Sequence, residues 1–445
     1  MKNDDQSDSV IRNYLIIAGL YTLSTSVIWA VNTLFLLEAG LDILGVFIAN
    51  AAFTGSMALF EIPTGVLADT RGRRASFLLS VTIVLIGTLG YVGVAATGGS
   101  LLLFCLMSVV LGLGYTFYSG AVEAWLVDAL KANGYSGQLD QVFARGSIVS
   151  GLAMLVGSVG GGLLGSLDLS IPYLARAGLL AVVYVVAFFS MHDPGFTSHP
   201  MKLSRMPVEM QKIAQESITF GWKKKSVRLL IIAAFIQSVF MAWGFYAWQP
   251  YFLELLGRDL TWVAGVVAAL IALSTITGNS IVEWITRFCG KRTTLLLWAA
   301  GLQTIAAIGV GIVGSFWLAV ALYLLVMGTV GVWGPVRQAY MHQDIPSEQR
   351  ASVISFDSLV SSGGSMFGQI GLGRVAQVQS IAAGYVVGGF IMVLAVPVIV
   401  FLRRLAEPAD VIVGTAGKNG ACAAQGIPNV SAVDANTHVV TAADV

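Results

Sequence analysis

Ionisable residues inside long apolar runs are where this 445-residue chain could do chemistry. Glu61, Glu123 and Asp357 qualify. A carboxylate withdrawn from water is expensive unless it is paired or protonated, so one held in an apolar run can carry a proton near neutral pH. Glu123 stands in Ala121-Val122-Glu123-Ala124-Trp125-Leu126-Val127-Asp128. At helical pitch, Glu123 and Asp128 point about 140° apart. Asp128 then suits the membrane surface and Glu123 the interior. Arg145 offers Glu123 a different role, a fixed ion pair, and contact with substrate is a third. All three readings stay open. Arg176 and Arg374 are cations in the outer halves of their segments, where they would ion-pair outside or attract an anionic substrate.

Such groups need a membrane around them. Hydrophobic residues make up 56% of the chain and charged ones 11%, too few charges to cover a soluble protein of this size. Twelve apolar segments have the length of spanning helices rather than the short alternating strands of a barrel. They are 14–37, 43–67, 75–97, 101–130, 142–165, 171–191, 228–256, 261–285, 293–314, 316–340, 351–378 and 381–402. The predicted fold is an all-α integral membrane protein of two pseudo-symmetric six-helix bundles, 14–191 and 228–402. Around them lie a cytoplasmic N-terminus 1–13, a cytoplasmic linker 192–227 and a disordered cytoplasmic tail 403–445. With both termini cytoplasmic, every Lys and Arg except Arg176, Arg258 and Arg374 falls on the inner side, as the positive-inside rule requires. The expected location is the cell inner (plasma) membrane. Gly72-Arg73-Arg74 after the second segment and Gly290-Lys291-Arg292 after the eighth hint at an internal repeat.

Several chemistries drop out. Gly309-Val310-Gly311-Ile312-Val313-Gly314 matches a dinucleotide fingerprint but ends an apolar helix and follows no strand. No phosphate-binding loop is present, so ATP is not the energy source. The scattered Cys105, Cys289 and Cys422 and four histidines have no metal-ligand spacing. Neither a cofactor nor nucleic acid is expected.

The loop after the second segment reads Glu61-Ile62-Pro63-Thr64-Gly65-Val66-Leu67-Ala68-Asp69-Thr70-Arg71-Gly72-Arg73-Arg74. Gly65 and Gly72 would permit close approach and a tight turn. Asp69 suits a helix N-terminus, and Arg73 or Arg74 would pair with Asp128. From Gly65 onward the stretch resembles the loop signature of the major facilitator superfamily, at the address where that family carries it. The resemblance, with the twelve-segment plan, covers about 390 residues. It implies a secondary transporter in which Gly65, Asp69, Gly72, Arg73, Arg74, Asp128, Arg145 and Arg350 form a cytoplasmic gate that latches onto the eleventh helix. The fifth segment, with Gly151, Gly157, Gly160, Gly161 and Gly162, partly resembles a motif of proton-driven antiporters, with Ser158 where those have proline.

Near mid-membrane the chain places Trp29, Asn32, Asn50, Phe53, Tyr118, Gln237, Trp243, Tyr246, Trp333 and Gln338. Aromatic walls, amides and few charges would suit bulky amphipathic molecules. The expected function is proton-coupled efflux of small lipophilic or amphipathic organic compounds by a monomer in the lipid bilayer. The alternative is proton-coupled uptake or facilitated diffusion of a nutrient, and a non-transporting sensor is a third class.

Overall fold

In lipid a backbone must satisfy its own hydrogen bonds, and helices do so within one segment. The computed structural model describes residues 2–118, 120–194, 221–257 and 260–412, nearly all of them helical. The first six crossings are α1 (Lys2–Ser26) continued by α2 (Asn32–Glu38), α3 (Ile43–Arg71), α4 (Arg73–Ala96), α5 (Leu101–Tyr118) continued by α6 (Ala121–Ala132), α7 (Leu139–Gly165) and α8 (Ile171–Ser190). The last six are α9 (Lys225–Leu256), α10 (Thr261–Thr286), α11 (Arg292–Ile312), α12 (Phe316–Asp344), α13 (Ser347–Val378), and α14 (Ile381–Val393) continued by α15 (Ala395–Arg404). Ten of these crossings are long and apolar enough to span a membrane on composition alone. The other two, the α1–α2 crossing and α13, are more polar, because α1 begins in a charged run and α13 is rich in Ser and Gly.

Three segments differ from the sequence reading. The polar start is already helical from Lys2, because Ser7 and Ile11 are buried and Asn13 donates to the Ser190 carbonyl at 3.4 Å. The fourth crossing is not one helix: Gly120, at φ +72°, breaks it between α5 and α6. The beginning of the expected tail is ordered. Arg403 and Arg404 complete α15, and the chain turns through Pro408–Asp410 to dock at the start of α11. Residues 195–220 of the linker and 413–445 of the tail lie outside the described residues.

Glycine spacing fixes how tightly the crossings pack, and it recurs. Gly157-Ser158-Val159-Gly160-Gly161 on α7 is echoed by Gly364-Ser365-Met366-Phe367-Gly368 on α13. A Cβ on Gly161 would collide with the Val27 carbonyl oxygen, and one on Gly368 with that of Val239. Gly157 meets the hydroxyl of Ser26, and Gly364 that of Ser238. The fifth crossing therefore grips the first as the eleventh grips the seventh. Likewise Ser56 on α3 donates to the Val109 carbonyl at 2.7 Å, and Ser274 on α10 to that of Leu324 at 2.6 Å. These paired contacts are the repeat that the loop basics only hinted at.

The two six-crossing halves meet on the side away from the chain termini. There Gly162 of α7 and Gly265 of α10 bring two backbones together. The rings of Phe47 and Trp243 lie 5.8 Å apart between centroids. Gln377 accepts from the Leu44 amide at 3.3 Å, and Gln369 donates to Thr54 at 3.3 Å. The first crossing is interrupted at Val27–Val31, inside the molecule. Gln249 of α9 mends the break, donating to the Trp29 carbonyl at 2.8 Å and accepting from the Thr33 amide at 2.8 Å.

Candidate functional site

Two cavities adjoin where the broken first crossing faces α9. One, of about 260 Å³, is walled by Trp29, Asn32, Asn50, Phe53, Tyr91, Tyr115, Arg176 and Tyr246, among others. The other, of about 290 Å³, is walled by Met154, Met241, Met327, Trp248, Ile271 and neighbouring apolar side chains. Trp29 and Phe245 line both, their rings edge to face with centroids 6.0 Å apart. The result is a two-lobed space, polar on one side and apolar on the other.

The polar lobe owes its character to a directed chain of hydrogen bonds. Tyr173 on α8 donates to Asn32 Oδ1 at 2.9 Å, and Asn32 Nδ2 donates to Asn50 Oδ1 at 3.3 Å. Asn50 Nδ2 is left buried without a partner. One turn after Tyr173, Arg176 is 1% exposed. Its Nη2 donates to the Tyr115 hydroxyl at 3.1 Å, and its guanidinium lies over the Tyr115 ring at 5.8 Å. Its Nε has no partner, and no carboxylate pairs with it among the described residues. Arg374, by contrast, is exposed on α13.

Of the expected cavity residues, Trp29, Asn32, Asn50, Phe53 and Tyr246 line this space. The other five lie elsewhere. Tyr118 ends α5 and stacks on Tyr21 at 3.9 Å. Trp243 is wholly buried among Phe47, Phe240 and Tyr385, sealing the junction of the halves rather than facing a cavity. Gln237 is buried with both amide atoms unpartnered. Trp333 packs on a second apolar cluster with Val336 and Tyr340, and Gln338 is exposed. Position along a helix does not by itself decide which face a residue occupies.

The three carboxylates have distinct surroundings. Asp357 on α13 is ion-paired with Arg337 on α12, whose Nε also reaches the Leu230 carbonyl at 3.4 Å. Each side chain of the pair is 12% exposed, so the Asp357 charge is met by Arg337. Glu61 is exposed on α3. Glu123 is half-buried in the first turn of α6, beside Tyr14 and Tyr118. Arg145 is exposed on α7 and forms no ion pair with Glu123 among the described residues.

The loop residues assemble differently from expectation. Gly72 turns the chain between α3 and α4. Gly65 is exposed, and among the described residues a Cβ there would meet open space. The Asp69 side chain lies outside the described residues. Arg74 is held by α8 and its end rather than by Asp128: its amide donates to Asp193 Oδ1 at 3.1 Å, its Nη2 donates to the Phe188 carbonyl at 2.8 Å, and it lies over the Phe188 ring. Burial pushes the Asp193 carboxyl up, against the pull of Arg74 and Arg73, and nearby Asp128 adds to the rise. Trp125 secures the same corner by donating to the His192 carbonyl at 2.6 Å. Arg350 donates to the His342 carbonyl at 2.9 Å, within its own half.

The second half repeats this clamp. Asp410 accepts from the Thr293 amide at 2.7 Å and its hydroxyl at 2.8 Å, while Arg292 donates to the Ala409 and Val411 carbonyls, each at 2.7 Å. Lys224 and Ser226 hold Asp344 at 2.6 and 2.5 Å. Sequence reasoning missed Asp193, Asp410 and Asp344 because each meets its partner across more than a hundred residues.

Comparison with known proteins supports the same architecture. The family model of the Major Facilitator Superfamily matches residues 14–369. YxaM of Bacillus subtilis (strain 168), described as an uncharacterized MFS-type transporter, is 21% identical over 406 residues, covering 88% of this chain and 94% of that protein. The nucleoside transporter NupG has 12% identity and a TM-score of 0.73, over 89% of this chain and 99% of that one. A D-xylose-proton symporter has 12% identity and a TM-score of 0.67, over 92% and 100%. At such identities the solved structures share the fold alone.

Proposed function

The chain belongs to the Major Facilitator Superfamily and is a multi-pass membrane secondary transporter; on that footing we propose that it exports small lipophilic or amphipathic organic compounds in exchange for protons. The carrying observation is the two-lobed cavity at the junction of the halves, walled by aromatic and methionine side chains that adapt to varied apolar shapes. The cross-half hydrogen bonds named above lie away from the termini among the described residues. Alternating access then amounts to rocking them about this cavity. The terminal side is cytoplasmic, the protein sits as a monomer in the cell's inner membrane, and the proton gradient supplies the energy without a cofactor.

Glu123 carries the proton. Asp357 is neutralised by Arg337, Glu61 is exposed, and Arg145 leaves Glu123 unpaired. Glu123→Gln should therefore keep substrate counterflow in proteoliposomes while abolishing transport driven by a pH gradient. Full gradient-driven transport by the mutant would remove Glu123 from the mechanism. A second reading, proton-coupled uptake, draws on the similar fold of the D-xylose-proton symporter. Substrate added outside whole cells would then alkalinise the medium, whereas export predicts no such response.

A further inference from the structure

We propose that the substrate is an amphipathic organic anion, its carboxylate seated on Arg176 and its apolar body in the methionine-walled lobe. This rests on the transport reading of the same cavity and narrows it to a charge class.

The polar lobe is built from donors lacking acceptors. Arg176 is buried with Nε unpartnered, and Asn50, 4% exposed, has Nδ2 unpartnered. The hydroxyl of Tyr115 accepts from Arg176, which leaves its own hydrogen to donate. The order of the chain from Tyr173 through Asn32 to Asn50 leaves a donor, not an acceptor, at its end. A buried guanidinium without a counter-ion is costly, and a planar two-oxygen anion is the complement that satisfies its fork. No carboxylate of the described chain fills that role, although the cavity wall is otherwise uncharged.

A second feature sets the rest of the molecule. The adjoining lobe is lined by Met154, Met241, Met327 and Trp248 and offers few polar partners. Trp29 and Phe245 border both lobes. An anion without an apolar body would leave the second lobe empty; an apolar molecule without an anion would leave Arg176 and Asn50 unsatisfied. Neutral and cationic lipophiles are thus disfavoured relative to hydrophobic acids.

The test is equilibrium binding to the purified protein, read by tryptophan fluorescence, well above the acid's own pKa. The probes are phenylvalerate, its amide, phenylpentylamine and acetate. Wild type should bind phenylvalerate about tenfold to a hundredfold tighter than the amide, with the amine and acetate weaker still. Arg176→Gln should bring acid and amide to equal affinity, and Asn50→Leu should weaken the acid alone. If Arg176→Gln fails to fold, Arg176→Lys, expected to keep part of the preference, and Asn50→Leu decide the matter. Equal binding of acid and amide by wild type, an undiminished preference in the Arg176 variants, or no binding of phenylvalerate would each overturn the proposal. Binding needs no gradient. Anion preference with no gradient-driven movement would sink proton-coupled export and leave this assignment standing.

Discussion

The first and last six crossings share a frame and differ in what they bury. Each half presses a Gly-Ser-x-x-Gly face onto a Ser-Val pair of its leading crossing. Each closes its terminal corner with an aspartate that follows its last crossing and meets the start of its third. Their interiors diverge. The first half buries a cation with no counter-ion among the described residues, Arg176, against amides and tyrosines. The last half buries a cation already neutralised, Arg337 with Asp357. A repeat can thus hold its packing and clamps while one copy pairs its buried cation with a carboxylate and the other sets it against neutral groups.

The sharpest way to break this contrast is to strip the neutralised cation of its partner. Asp357→Ala should destabilise the purified protein by about 3–5 kcal/mol, as expected for a buried charge left alone. Replacing both residues with apolar ones should recover most of the loss in thermal denaturation. If Asp357→Ala is neutral, the pair is not structural and the contrast fails. Arg176 has no such partner to remove, and no single carboxylate substitution in the first half should match that loss.

Next in size are the glycine contacts that make the halves alike. Gly161→Ala and Gly368→Ala each drive a methyl into a backbone carbonyl, at an expected cost of about 1–3 kcal/mol apiece. Similar losses in the two variants would uphold the shared frame; a loss in only one would show that the frame is not truly repeated.

The clamps should give the smallest effects and an unequal pair. Asp410 is 2% exposed and accepts two bonds from Thr293, so Asp410→Ala should cost about 1–2 kcal/mol. Asp193 is half-exposed, and Asp193→Ala should cost less, about 0.5–1 kcal/mol. Because burial raises the Asp193 pKa, the folded state holds that proton better than the unfolded chain. Its contribution is therefore fully present below the ordinary carboxylate pKa and fades as pH rises through the raised value. The stability gap between wild type and Asp193→Asn should narrow on acidification, as measured by thermal unfolding across that range.

Much of the frame was legible because hydropathy and loop charge act over short stretches of chain. The twelve crossings and the turn at Gly72 could be read directly. Trp29, Asn32 and Asn50 were found because polar and amphipathic residues at mid-depth have few places to go. Trp243 was misplaced because a tryptophan at that depth fits a cavity wall and a packed junction equally well until its neighbours are known. Arg176 was seen, but its isolation was not, since lacking a partner is a property of the whole fold.

The mend in the first crossing has a consequence for how the far side can open. The Trp29 carbonyl and Thr33 amide are satisfied by Gln249, which belongs to the other half. Drawing the halves apart there takes Gln249 away and bares two backbone groups within the membrane's thickness. Those groups must then be met by entering water or by the first crossing rewinding into unbroken helix, so a dehydrating osmolyte on that side is expected to slow an opening that relies on water.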